Sequence, residues 1–232
     1  MRQGWLKTLA MMLLVAGLSG LSIPAQALYY LDNFSQPTSD WSVTSSSTGV
    51  PATHLDTGIN VVGGSRFSSV TKDSGAETAY LILSSGFLTF SSDTATQGSS
   101  YLLYTANGAG LNLDFTPVNS ITVKYYTDHV NYLIDTQMKI TITDNMGKTS
   151  SLNKTFPDNT PLLTWLDVVF NISQFNSDTG FNLAKINSLR LDYIGDSNNA
   201  AAFGSIATDV PPGAGAVPKT IDPQLFLLLL QD

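Results

Sequence analysis

The sequence predicts an all-β fold, an antiparallel two-sheet β-sandwich of jelly-roll-like form with about ten strands. Three observations predict it. Short runs rich in Val, Ile, Thr, Tyr and Phe recur from residue 28 onward between clusters of Gly, Ser, Asn and Asp. Several of these runs alternate apolar with polar at a period of two, the signature of a strand with one core face and one wetter face. Long amphipathic helical stretches are missing, and a short helical turn at "GFNLAKI", residues 180–186, is the best candidate.

The first element is not part of the sandwich. In "MRQGWLKTLAMMLLVAGLSGLSIPAQA", Arg2 and Lys7 precede an apolar run from Leu9 to Leu18, and Ala25-Gln26-Ala27 has the small-x-small pattern of a signal-peptidase site. Residues 1–27 are therefore expected to form an N-terminal signal helix cleaved after Ala27. The apolar run is shorter than the ~20 residues a spanning helix needs.

The expected β domain covers residues 28–210. Early strands are "INVV", "RFSSVTK", "TAYLIL", "GFLTFSS", "YLLYTA" and "LNLDF". Four later runs alternate cleanly: Ile121, Val123 and Tyr125 against Thr122, Lys124 and Tyr126; Met138, Ile140 and Ile142 against Lys139, Thr141 and Thr143; Leu166, Val168 and Phe170 against Trp165, Asp167 and Val169; Leu189, Leu191 and Tyr193 against Arg190, Asp192 and Ile194. "AAFGSIATDV" is the last strand. Two hairpins are predicted, one through Asp144–Gly147 with Gly147 at positive φ, and one with Gly63-Gly64 in a primed turn between "INVV" and "RFSSV".

Charge and composition narrow the function. Loss of Arg2 and Lys7 with the signal takes the formal charge from −7 to −9, and Glu77 is the only glutamate, so the acidity is almost wholly aspartate. An acidic exported chain lacks the basic patch that nucleic acid or an anionic membrane surface requires. With no cysteine, stability must come from burial, and thiolate nucleophiles and metal sites are excluded.

No sequence pattern marks a catalytic centre. G-x-S-x-G, H-E-x-x-H and P-loop motifs are absent, "NGAGLNLDF" runs from a Gly-rich loop into a strand, and His54 and His129 are the only histidines. No catalytic residue is assigned. Aspartates and backbone carbonyls suit calcium, so structural calcium is the one cofactor considered, with Asp32 beside Asn33 and the Asp192/Asp196 pair of "DYIGDSNN" as candidate ligands. The Asn-x-Ser/Thr triplets at Asn33, Asn153 and Asn171 are acceptors only in a glycosylating host.

Binding is the remaining class. Sugar rings stack their apolar faces on exposed aromatics while polar side chains bond the hydroxyls. Alternation puts Trp165 with Asp167, and Tyr126 with Lys124, on non-core faces; Arg66 beside the Gly-Gly turn is a third candidate ligand-binding residue.

"DNF" at 32–34, "VVGGSRF" at 61–67, the succession of strands, the closing "AAFGSIATDV" and a Val-Pro stretch together resemble bacterial secreted proteins with a PEP-CTERM tail. The resemblance covers most of residues 28–218. It implies a jelly-roll-like domain, export, delivery to the surface or an extracellular polysaccharide matrix, and no enzymatic activity. The tail departs from the family: "VPPGAGAVP" has no glutamate, the apolar run Leu225–Leu230 is six residues, and Gln231-Asp232 stand where the family has a basic cluster. Six residues rise only ~9 Å as a helix against a hydrocarbon core of ~30 Å. Residues 211–224 are thus expected to be a Pro/Gly linker and 225–232 a degenerate sorting tail. The expected function is that of a secreted, non-catalytic surface or matrix protein whose partner is extracellular polysaccharide or another surface protein. A structural or adhesive protein without a sugar ligand, or a polysaccharide hydrolase, are the alternatives.

Overall fold

The computed structural model of the chain describes residues 28–34, 40–93, 95–127, 136–156, 164–195 and 200–214. The predicted signal peptide, His129, Asp196 and the apolar tail lie outside them. The described residues form β1 (Tyr29–Asp32), β2 (Trp41–Ser45), β3 (Pro51–Thr57), β4 (Ser65–Ser74), β5 (Ala79–Ser84), β6 (Phe87–Ser92), β7 (Gln97–Tyr104), β8 (Leu113–Asp114), β9 (Ser120–Thr127), β10 (Thr136–Asp144), β11 (Thr149–Phe156), β12 (Leu166–Asn171), β13 (Asn176–Ser177), β14 (Ile186–Gly195), β15 (Ala200–Thr208) and β16 (Gly213–Ala214). Among the described residues no helix is long and apolar enough to cross a membrane.

The predicted two-sheet antiparallel sandwich is the observed architecture. One sheet runs β12-β9-β15-β6-β5-β2, with β1 added beside β15; the other runs β13-β11-β10-β14-β7-β4-β3, with β8 and β16 at the flank of β14. Its strands outnumber the ten expected because the polar stretches of β2, β3 and β11 form strands, because the short apolar run at residues 28–31 supplies β1, and because β13 and β16 are two-residue pairings.

The four alternating runs turn the predicted faces inward. Ile121, Val123 and Tyr125 of β9 meet Met138, Ile140 and Ile142 of β10 and Leu189, Leu191 and Tyr193 of β14 in one continuous core. Leu166 departs from the pattern: it opens the edge strand β12 and keeps 36% exposure, while Val168 and Phe170 are buried. Tyr125 and Tyr193 come from opposite sheets, and their hydroxyls hydrogen-bond at 3.2 Å in the interior. Phe203 packs against both rings, with centroids 5.8 and 5.3 Å away.

The Asp144–Gly147 hairpin forms as expected. Asp144 N–H donates to Lys148 O at 2.9 Å, and Gly147 takes φ 77°. The Gly-Gly hairpin needs correction. β4 pairs with β3, not with "INVV", so Gly63 and Gly64 belong to the loop 58–64 between Thr57 and Ser65. Both have positive φ, but the apolar run before them packs partly against the core as loop instead of pairing. Pro51 opens β3 on the sheet edge, where its missing N–H forfeits no ladder bond. The helical turn predicted near "GFNLAKI" is a single 3-10 turn at Leu183–Lys185, capped by the Asn182 side chain. At the other end, Gly213 and Ala214 pair with Asp114 and Leu113, so hydrogen-bonded structure extends four residues past the expected boundary at Val210.

Candidate functional site

Alternation sends one face of every strand outward, and on the nine-stranded sheet those faces enclose an open groove of about 880 Å³. Its floor comes from the β10–β11 hairpin together with β14 and β7, neighbours in the sheet though distant in sequence from the hairpin and from each other. The outer residues stand in register rows across the strands. Asn153, Lys139, Asp192 and Tyr101 make the central row, and Thr155, Gln137, Ile194 and Ser99 the row beside it. Ser151, Thr141 and Arg190 continue the floor on the other side, where Asn176 of β13 closes the edge.

The centre of the groove is pre-organised. The Arg190 guanidinium lies 3.9 Å from the centre of the Tyr101 ring, and its Nε donates to Asp192 Oδ1 at 2.7 Å. Phe67 packs on the other flank of Tyr101 at 5.8 Å. Hydroxyls, carboxamides, one cation–carboxylate pair and a fixed aromatic ring therefore line one concavity. This composition suits a polyhydroxylated ligand, because each hydroxyl both donates and accepts and so can use amide, carboxylate and guanidinium alike.

The opposite outer face, on the seven-stranded sheet, brings Trp165 and Tyr126 together with ring centroids 5.6 Å apart. Phe87, which the sequence reading missed, stacks on Trp165 at 5.2 Å. Trp165 and Phe87 are separated by β9 and β15, and they meet because the indole lies down over Gly204. A Cβ at Gly204 would stand 3.1 Å from the Trp165 ring. Trp165 and Phe87 retain 37% and 43% exposure, so this is an open aromatic platform.

Arg66, expected at the surface, is instead fully buried at 0% exposure. Its position on β4 faces the core, where it bridges two carboxylates: Nη1 donates to Asp32 at 2.7 Å and Nη2 to Asp56 at 2.7 Å. Tyr104 OH also donates to Asp32, at 2.8 Å, and the Phe34 N–H occupies the other Asp32 oxygen. The Phe34 ring lies 5.3 Å from the guanidinium carbon. Asp56 further accepts from Trp41 Nε1, and His54, stacked on Trp41 with centroids 4.3 Å apart, reaches the same oxygen. Burial pushes the Asp32 carboxyl above its ordinary range against the pull of Arg66, and burial pushes the Tyr104 hydroxyl well up.

That network corrects one assignment: Arg66, buried between two carboxylates, cannot touch a ligand at the surface. The Asp32 carboxylate is itself buried, with both oxygens accepting hydrogen bonds from the protein. Asp192 lines the groove paired with Arg190, and its proposed companion Asp196 is outside the described residues. Among the described residues, no three His, Asp or Glu side chains gather as a metal-ion site.

The chain matches no protein-family model and no curated protein. Among solved structures it is similar to the family 11 carbohydrate-binding module of Clostridium thermocellum, solved with a β-1,3-1,4-mixed-linked tetrasaccharide, at 14% identity and TM-score 0.40 over 78% of this chain and 94% of the module. A family 28 module specific for non-crystalline cellulose is similar at 11% identity and TM-score 0.36, over 60% of this chain and 79% of the module. An agarase is similar at 12% identity and TM-score 0.43, over 85% of this chain but 26% of the enzyme.

Proposed function

We propose that the chain is an exported, non-catalytic domain that binds extracellular polysaccharide at the cell surface or in the surrounding matrix. The observation that carries this reading is the groove on the nine-stranded sheet, where Tyr101, Arg190 and Asp192 are held in place among hydroxyl and carboxamide side chains. Asp192 is the one carboxylate among the groove's described lining, and it is ion-paired. Glycoside hydrolysis uses two carboxyl groups facing each other across the bond, so this arrangement suits holding a glycan and not cleaving it. The Trp165–Phe87–Tyr126 platform supplies a second stacking surface on the opposite face.

A glycan array tests the reading. The wild-type chain should bind a polysaccharide, and Tyr101→Ala or Arg190→Ala should weaken that binding about ten-fold or more. Trp165→Ala reports separately on the platform. Absence of glycan binding, or binding indifferent to all three substitutions, would overturn the proposal and favour the structural or adhesive alternative.

A further inference from the structure

The central row of the groove has a particular order of charge. Asn153 pairs with Lys139, Lys139 with Asp192, and Asp192 with Tyr101. Four side chains therefore stand side by side at the ~4.8 Å spacing of neighbouring strands. That interval approaches the length of one pyranose unit, so an extended polysaccharide lying across the strands meets a new side chain with each sugar.

Asp192 is the cross-strand neighbour of Lys139, yet its carboxylate is taken by Arg190. Among the described residues, Lys139 is left with no ion-paired or hydrogen-bonded partner. The groove thus carries two cations, Lys139 and Arg190, against one carboxylate, in a chain whose formal charge is −7. At physiological salt the Debye length is about 8 Å, so a ligand over this row responds to it more than to remote acidic groups; Asp73, which accepts from Ser99 Oγ at 3.0 Å, adds one further carboxylate beside the lining, away from Lys139 in the adjacent row.

We propose that the groove selects an acidic polysaccharide bearing uronate carboxylates, and that Lys139 is the residue that recognises the carboxylate. The inference rests on the groove being the glycan site and adds the class of sugar it prefers. A uronate over Lys139 makes a charge-assisted bond to an ammonium that has no other partner, whereas a neutral sugar offers it hydroxyls alone. Tyr101, three strands from Asn153, supplies the stacking surface for a sugar further along the same chain.

Calorimetric titration of the full chain with oligogalacturonate and with a neutral glucan oligomer of equal length tests the proposal. The wild type should bind the uronate about ten-fold more tightly, an advantage that shrinks as salt is raised. Lys139→Gln should lose about ten-fold on the uronate while staying within about two-fold on the glucan, and Lys139→Arg should retain the preference. Equal affinity for both oligomers, lost in Tyr101→Ala but unchanged in Lys139→Gln, would overturn the acidic selection and leave a neutral-glycan groove. Single-stranded DNA bound as tightly as the uronate would overturn selection of a sugar acid. Binding of neither oligomer, or binding that ignores Tyr101, would overturn the groove reading itself.

Discussion

Arg66 shows how far a single residue's role depends on which way its strand faces. It sits beside two glycines at a loop end, a position that suggests exposure, but the β4 register turns it inward between Asp32 and Asp56. A buried guanidinium is tolerable only where its donors and charge are met, and here two carboxylates meet them. Removing it leaves both carboxylates buried without a counter-charge. Arg66→Met is therefore expected to destabilise the fold by about 3–5 kcal/mol at neutral pH, read by urea denaturation. The sign with pH follows from Asp32, whose carboxyl is raised by burial against the lowering pull of Arg66. Loss of Arg66 raises it further, so the variant gains more than the wild type from protonating Asp32, and its deficit should narrow as pH falls from 7 toward 4. A deficit that stays constant over this range would separate it from Asp32.

At the level of elements, aspartates do the work of joining strands to loops. Burial alone would raise the Asp144 carboxyl, but N–H bonds from Lys148, Met146 and Asn182 outweigh it and hold the group below its ordinary value. Those donors tie the β10–β11 hairpin to the segment before the 3-10 turn. The backbone and hydroxyl bonds from Thr149 lower Asp178 in the same way, and Asn119 and Ser120 lower Asp209 against the effect of its own burial. A lowered carboxyl stabilises the fold above its unfolded pKa of about 3.9 and loses that contribution as pH falls through the lower folded value. Melting temperature should accordingly hold above pH 5 and drop below about pH 4. Asp144→Asn should lower it at neutral pH and make the acid drop shallower; an acid limb unchanged by the substitution would remove Asp144 from the account.

Across the whole molecule, the two sheets are joined by a core of inward-facing side chains. Phe203, at 1% exposure between Tyr125 and Tyr193, is central to that core. Phe203→Ala should cost about 3–5 kcal/mol of stability. Because the groove and the platform lie on the far sides of their sheets, glycan affinity per folded molecule should stay at the wild-type value. A matched loss of affinity in fully folded protein would show that the core and the groove are coupled.

Local alternation was enough to determine the fold class and the inward faces of β9, β10 and β14, because the side-chain period of a strand is a property of the backbone alone. It also put Lys139, Arg190, Asp192 and Trp165 on outward faces. The Asp144 hairpin was equally legible, since its turn residues are contiguous. Strand order was not. Tyr101, Arg190, Lys139 and Asn153 share one groove only because β7, β14, β10 and β11 are neighbours, and Phe87 reaches Trp165 only because β15 presents Gly204 between them. The "DNF" and "GGSRF" stretches likewise looked like separate surface features, whereas the sandwich joins Asp32, Phe34 and Arg66 in one buried cluster. Sequence decides which side of a strand a residue occupies; only the long-range pairing of strands decides whom it meets there, because the energy of that pairing lies in contacts between distant parts of the chain.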